Sequence, residues 1–378
     1  WGDTATIVPW EMYETYGDIR ILKKCYDMMK KWVEYQNSTD RRNYGVRTVD
    51  GKEVPEQSDL ATIPYIQVQQ CRGDHLTYDN STPYIYSATA YAAHSADILR
   101  RTAYILGKTD DEKRYTELFE NIKRAFNDAW VNDDGSVSYY GEVSSQTAHC
   151  GESVALDGSV TRYTYYAENT PHCPSQTAYA LAVDFDLIPT DKLKNTREYF
   201  KNSILRNNCK LTVGFLGISH LAPALSKVGL DDVAFKLLEQ EDNPSWLYSV
   251  KNGATTIWER WNSYIAETGT FGDVSMNSFN HYSYGAIGQW FFTDILGICP
   301  VEFGYKSFML SPKFGGGLTY AKGSFTSPYG KISSAWKLHD GKFTYDCTVP
   351  TNTTATLKLP NGDIHTLVGG SYHFEINV

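Results

Sequence analysis

The residues best suited to chemistry lie in one stretch, GATTIWERW at 253–261. Glu259 sits between Trp258 and Trp261, with Arg260 beside it. A carboxylate that stays ionised can serve as a general base, and indoles three residues apart can cover the apolar faces of a sugar and keep water away. A helix opening near Thr255 or Thr256 would put both indoles on one face. It would also place Glu259 in the first turn, where the helix dipole favours an ionised carboxylate. The competing account makes Glu259 and Arg260 a structural ion pair under an aromatic lid. Asp3 follows Trp1-Gly2 and Asp74 follows Gly73. Glycine permits close backbone approach, so both carboxylates are either hydroxyl acceptors in a pocket or caps and turn residues. MNSFNHY at 276–282 sets Asn277, Asn280 and His281 in a stretch that otherwise reads as buried. Such an amide–imidazole group must find partners, either in a polyol ligand or in the protein itself.

Other signals are weaker. His149-Cys150 and His172-Cys173 form two HC pairs, and SQTAHC at 145–150 is echoed by SQTAYA at 175–180, an imperfect local duplication. No second histidine stands at metal-ligand spacing from His281, so no metal site is expected. The seven cysteines are odd in number and form no CxxC pair, which reads as scattered free or buried thiols. Cys150 with Cys173 is the first candidate for a disulfide. Sequons begin at Asn37, Asn80 and Asn352, as many as chance provides. There is no Gly-rich phosphate loop, zincin motif or serine-hydrolase elbow, and no cofactor is expected.

The elements that must position these residues come from apolar spacing. Residues 4–36 are helical with a break at Gly17-Asp18, and Pro9 fits a first turn. Helices follow at 84–106, 111–130, 176–185, 190–204, 218–228, 231–241 and 277–296. The pattern fails at 37–78 and 136–174, which read as substrate-side loops or insertions. From about 302 onward, alternating runs such as GKISSAWKL and GKFTYDCTVP are separated by SPYG, HDG and NGD, which predicts strands joined by hairpins. The expected fold is mainly α, with helices over 1–300 and a β-sandwich over 301–378 packed against them. The sandwich is not expected to be freely tethered, because Ile298–Gly304 has little linker character.

Composition narrows the function. Of 378 residues, 42% are hydrophobic and 21% charged, which fits a folded chain with a large core. Lys+Arg 35 against Asp+Glu 44 gives −9, so no phosphate backbone is an expected partner. Apolar runs are short and interrupted, and no membrane span is expected. Aromatics reach 14%, with 28 tyrosines, which suits either a carbohydrate-active protein or an aromatic-rich core.

WGDTATIVPWEMYETYGD at 1–18, TVGFLG at 212–217, PSWLYSVKNGATTIWERW at 244–261, MNSFNHYSYGAIGQW at 276–290 and SPKFGGGLTYAKGSFTSPYGKISSAW at 311–336 carry a specific resemblance. In order and approximate spacing they resemble the bacterial and fungal α-L-rhamnosidases of glycoside hydrolase family 78. The resemblance covers nearly the whole chain apart from 37–75 and 136–174. It implies an (α/α)6 barrel followed by a C-terminal antiparallel β-sandwich, and inverting hydrolysis of terminal α-L-rhamnose. Glu259 matches the family's general base. Trp258, Trp261 and His281 match residues lining the rhamnose site, and Trp1 matches the pocket tryptophan of the WGD motif that Asp3 closes.

Two departures shape the expectation. The family's general acid belongs to a segment resembling DCPQRDERLGWTGD upstream of WGD, so the chain is expected to be a piece of a longer enzyme, nearly inactive alone. Its barrel is expected to be incomplete, with exposed apolar helix faces that drive association. At 73–75 the family's Gly-Asp-Trp reads Gly73-Asp74-His75, replacing one stacking platform by a polar ring. Asp74 keeps its place as a substrate-binding candidate in that alignment. Alternatives to the rhamnosidase are a noncatalytic sugar-binding remnant and a related helical-barrel glycosidase with altered sugar specificity.

Overall fold

The computed structural model describes residues 1–38, 64–67, 73–78, 82–138 and 174–378, and the backbone of strands at 46–49, 52–55, 149–154 and 160–165. α1 (Thr4–Tyr16) ends at Gly17, whose φ of 65° turns its N–H onto the Tyr13 carbonyl. Asp18 then caps α2 (Ile19–Gln36) by accepting from the Arg20 amide. Pro9 lies inside α1 rather than in its first turn. The helix runs on through it, at the cost of one intrahelical hydrogen bond.

Three more helical hairpins follow. They pair α3 (Tyr84–Ile105) with α4 (Thr109–Trp130), α5 (Gln176–Asp184) with α6 (Leu193–Leu205), and α7 (Phe215–Lys227) with α8 (Asp231–Leu238). The first helix of each hairpin packs on the first helix of the next, giving an inner row α1, α3, α5, α7 with the second helices outside. Inner helices are buried on more than one side, which requires small residues. Ala90, Ala92, Ala93 and Ala96 of α3 and Ala178, Ala180 and Ala182 of α5 supply them. The outer α2 buries one stripe, Leu22, Tyr26, Met29 and Val33, at spacings of four and three.

The helix predicted across 277–296 begins only at Ser283. It runs as a 3₁₀ turn (Ser283–Ile287), one α turn (Gly288–Trp290) and a π turn (Phe291–Ile295). Residues before it give their backbone groups to the loop at 257–259, so they cannot close helical bonds. α9 (Trp246–Lys251) is too short for its periodicity to show in the sequence. With α9 and the composite helix, the described residues hold ten helical segments, whereas six hairpins take twelve. One face of α1, continued by Trp1 just before it, is apolar and uncovered: Trp1 is 61% exposed, Val8 46%, Met12 41% and Tyr16 56%.

Within the stretches expected to be irregular, β1 (Val46–Val49) pairs with β2 (Lys52–Pro55) and β3 (His149–Val154) with β4 (Val160–Tyr165), both antiparallel. The Cys150–Cys173 pairing and the two HC pairs fall outside the described side chains. Cys25, Cys209, Cys299 and Cys347 are free thiols. A two-residue ladder of β5 (Tyr264–Ile265) with β6 (Thr270–Phe271) follows α9. Among the described residues, no helix is long and apolar enough to cross a membrane.

The C-terminal part stacks two four-stranded sheets. One runs β14 (Gly370–Asn377), β11 (Lys342–Val349), β10 (Gly330–His339), β9 (Tyr320–Ser327). The other runs β13 (Ile364–Leu367), β12 (Thr354–Lys358), β8 (Ser307–Leu310), β7 (Ile298–Pro300). Pairing is antiparallel except between β8 and β12. Trp336, Phe343 and Tyr345 from one sheet and Phe308, Leu310 and Leu357 from the other are fully buried, as period-two alternation demands. The sandwich docks on the helices. Trp336 Nε1 donates to the Ile295 carbonyl at 2.9 Å and Ser334 Oγ to the Leu296 carbonyl at 2.7 Å. Lys313 Nζ lies 2.8 Å from both Asp231 and Asp294, and Phe303 packs edge-on against Trp10.

Candidate active site

The loop after α9 turns out at Gly253, whose φ is +86°. No helix opens at Thr255 or Thr256, so the expected dipole behind Glu259 is absent; α9 has already ended at Lys251. The loop pairs instead with the segment before Ser283. Glu259 N donates to the Ser278 carbonyl at 2.8 Å, and His281 N to the Ile257 carbonyl at 2.8 Å. Ser278 N returns a hydrogen bond to Glu259 Oε2 at 2.7 Å. A backbone N–H thus anchors one carboxylate oxygen, and Oε1 has no partner among the described residues. Arg260 turns away from Glu259 towards Asp273 and the Met276 carbonyl, so the structural Glu259–Arg260 ion pair does not form.

Both loop indoles are more than nine-tenths buried. Trp258 packs edge-on against Phe279, with ring centroids 5.1 Å apart. Trp261 stacks on Tyr284 at 3.8 Å and donates from Nε1 to the Val213 carbonyl at 2.8 Å. They do not share one helical face. A cavity of about 250 Å³ lies against the loop, lined by Trp246, Val250, Ile257, Trp258, Trp261 and Tyr284 among others; Glu259 is not in its wall.

His281 stacks on Phe215 at 5.0 Å, and its Nδ1 accepts from Ser283 N at 3.4 Å. That bond places the proton of the neutral ring on Nε2, which has no partner among the described residues and can donate to a ligand. Phe215 also meets His75 edge-on at 5.5 Å and Tyr284 at 5.3 Å. The aromatic hub Phe215 therefore joins His75, His281 and, through Tyr284, Trp261.

Asp74 holds that hub in place. Its Oδ1 accepts from Leu216 N at 2.9 Å and Gly217 N at 3.0 Å; its Oδ2 accepts from Gly214 N at 2.8 Å and from the Thr177 hydroxyl. The amide of the N-cap residue Gly214 and two first-turn amides of α7 thus meet a carboxylate from a distant loop, a cap supplied in trans. Each oxygen carries two donors, so the carboxylate is occupied by the chain itself. Burial pushes the Asp74 carboxyl up, and these four donors pull it back. Gly214 has no room for a side chain, since a Cβ there would sit 2.3 Å from the His75 carbonyl oxygen.

Trp1 and Asp3 stand at the start of α1. Asp3 Oδ1 accepts from Gln36 Nε2 and Ser95 Oγ at 2.9 Å and from Trp32 Nε1 at 3.1 Å, which ties α1, α2 and α3 together. Trp1 is exposed. Tyr91 of α3 feels both carboxylates: burial first, then the charges of Asp3 and Asp74, raise its phenol well above the usual range. Its hydroxyl lies 3.1 Å from His220 Nε2, and His220 Nδ1 lies 2.6 Å from Asp184. The sequence pattern singled out none of Tyr91, His220, Asp184 or Ser278. Phe215 and Ser278 could have been noticed, inside the TVGFLG and MNSFNHY stretches. Among the described residues, no group of His, Cys, Asp and Glu is placed to hold a metal ion.

Residues 1–295 match the family model described as the bacterial alpha-L-rhamnosidase 6 hairpin glycosidase domain, and residues 297–374 match the bacterial alpha-L-rhamnosidase C-terminal domain. An alpha-L-rhamnosidase of Formosa agariphila is 34% identical over 369 residues, covering 97% of this chain and 34% of that protein. One from Streptomyces avermitilis is 35% identical over 361 residues, covering 95% and 29%. The crystal structure of the Streptomyces avermitilis alpha-L-rhamnosidase complexed with L-rhamnose superposes with a TM-score of 0.81 at 31% identity, covering 100% of this chain and 33% of that one. The alpha-L-rhamnosidase of Aspergillus terreus gives 0.78 at 29% identity, covering 100% and 39%. The chain spans about a third of the length of the curated relatives it matches.

Proposed function

The chain belongs to the bacterial α-L-rhamnosidase family of six-hairpin glycosidases, and from that premise we propose that the complete protein carrying it hydrolyses terminal non-reducing α-L-rhamnose from rhamnosides with inversion, using Glu259 as general base. The observation that carries this is the state of the Glu259 carboxylate. Ser278 N–H fixes Oε2, and Oε1 is left to grip a water. An inverting hydrolase needs such a carboxylate on one face of the sugar and an acid on the other, roughly 6.5–9.5 Å away. In this proposal the acid comes from outside residues 1–378, so these residues alone turn over little substrate.

His281 offers Nε2–H to a sugar hydroxyl, and exposed Trp1 offers a stacking face. Asp3 binds or orients the sugar from the start of α1, held there by Trp32, Gln36 and Ser95. Trp258 and Trp261 act from behind the loop, shaping it, and Asp74 acts through the Phe215 turn that it holds. Catalysis belongs to residues 1–300, and 301–378 brace them. The uncovered face of α1 is the surface through which the chain associates. The Streptomyces avermitilis relative, whose structure holds L-rhamnose, supports the sugar class. His75, edge-on to Phe215, favours a second account in which another glycone is preferred; a panel of aryl glycosides tests it.

The principal test is Glu259→Gln in the complete protein with an aryl α-L-rhamnoside. Loss of basicity with shape retained should lower kcat at least about 10²-fold while rhamnose binding survives. Azide should yield the β-configured glycosyl azide. Near-normal turnover by the variant would return Glu259 to a structural role.

A further inference from the structure

The loop at 257–261 carries a second charged group, Arg260, to which the proposal above gives no task. Its Nη1 reaches the Met276 carbonyl at 3.3 Å and Asp273 Oδ2 at 3.4 Å. Asp273 in turn accepts from Ser275 N at 2.9 Å and Ser275 Oγ at 2.6 Å, closing a turn just before the anchor of Glu259. Ser263 fixes the same turn from the other side. Its carbonyl accepts from Asn277 Nδ2 at 2.8 Å and Gly272 N at 3.0 Å, and its hydroxyl from Arg260 N at 3.1 Å. With Met276 and Asn277 both held, the Ser278 amide has one place to be.

We propose that Arg260 is a positioning residue for Glu259: by clamping the 273–276 turn it keeps the Ser278 N–H on Oε2 and so aims Oε1 at the water. The inference rests on Glu259 being the general base. It gives the arginine, which also lines the cavity beside the loop, a role that needs no ion pair to the base. The sequence adjacency of the two suggests such an ion pair, but the loop geometry opposes it. A guanidinium suits the task because it stays charged at any working pH and can serve a carboxylate and a carbonyl together. Small errors in placing a reacting group are costly, with about 1 Å worth up to about 10²-fold in rate.

The test is a cycle of Arg260→Gln, Glu259→Gln and the double variant in the complete protein, with Asp273→Asn alongside. Thermal midpoints and rhamnose binding report the fold. Arg260→Gln should lower kcat about 10-fold or more with KM changed little. Asp273→Asn should move kcat the same way and less, since the Met276 contact remains. Because Arg260 acts through Glu259, the double variant should be no slower than Glu259→Gln alone. Arg260→Gln with kcat within twofold of the parent, or a double variant slower than Glu259→Gln by the full Arg260 factor, would overturn the inference. Near-normal turnover by Glu259→Gln sinks the base assignment and this role with it. An inactive Glu259→Gln beside an unaffected Arg260→Gln sinks only the positioning role.

Discussion

Replacing Asp74 by Asn is the sharpest probe of how the site is built. The change keeps volume and removes charge and half of the acceptor capacity. The Asn oxygen can still take Leu216 N and Gly217 N, while its amide must face Gly214 N and the Thr177 hydroxyl. Thr177 can turn and accept; Gly214 N cannot. One buried N–H is therefore left facing a donor, which costs about 1–3 kcal/mol. The two surviving bonds lose their charge assistance, about 1 kcal/mol each, and α7 loses an anion at its N-terminus, about 0.3–1 kcal/mol. Relief of burying a carboxylate offsets part of this, leaving a net loss of about 2–3 kcal/mol. The Gly214–Gly217 turn should loosen and release Phe215 from its stack on His281. Activity should fall about 10-fold or more, with a lowered thermal midpoint. Assays are kcat/KM on an aryl rhamnoside and calorimetry, both on the complete protein. A variant with the parental midpoint and kcat/KM within twofold would refute the trans-cap account and free Asp74 to be a direct sugar ligand.

Two further outcomes are expected. His94, stacked on Phe185 at 4.1 Å, has its pKa lowered to about 3, chiefly by burial. Its folded pKa lies below the unfolded value of about 6.5, so its contribution is present above that pH and is lost as pH falls towards 3. His94→Gln should flatten the decline in thermal midpoint between pH 7 and pH 4, and an unchanged slope would count against it. On the uncovered face of α1, Met12→Lys with Tyr16→Lys should reduce self-association of residues 1–378 in light scattering. A monodisperse parent chain at micromolar concentration would remove the basis for that expectation.

Much of the helical layout could be read in the sequence, because inner and outer helices must bury apolar residues at fixed spacing. α3, α4 and α7 begin and end within a few residues of the pattern. The pattern misled where non-local bonds outcompete local ones. Residues 277–281 have helical spacing, but Glu259 and Ile257 take their backbone groups first. Thr255–Trp258 follow a left-handed Gly253 and form no helix, so spacing arguments for the two indoles had no helix to act on. At the site, residue types pointed to Glu259 and His281. Their settings did not show, since the Ser278 anchor and the Phe215 hub arise from pairings across tens of residues. Asp74 is the extreme case: its donors at 214–217 lie 140 and more positions away, and no local pattern distinguishes a saturated carboxylate from an open one.

The bonds from Trp336 and Ser334 to the carbonyls of Ile295 and Leu296 limit how freely this architecture can be recombined. Those carbonyls close the last helical segment, and neither finds its donor inside the helical part. A chimera that exchanged the β-sandwich at the 300/301 junction would inherit two acceptors whose donors belong to the discarded half, beside Lys313 severed from Asp231 and Asp294. Grafts between relatives should therefore move residues 290–300 together with the strand carrying Ser334 and Trp336, or preserve both sides of the seam. The C-terminal β-sandwich thus caps the last helical segment, and gene fusions or truncations that regard it as a detachable tag should yield insoluble protein.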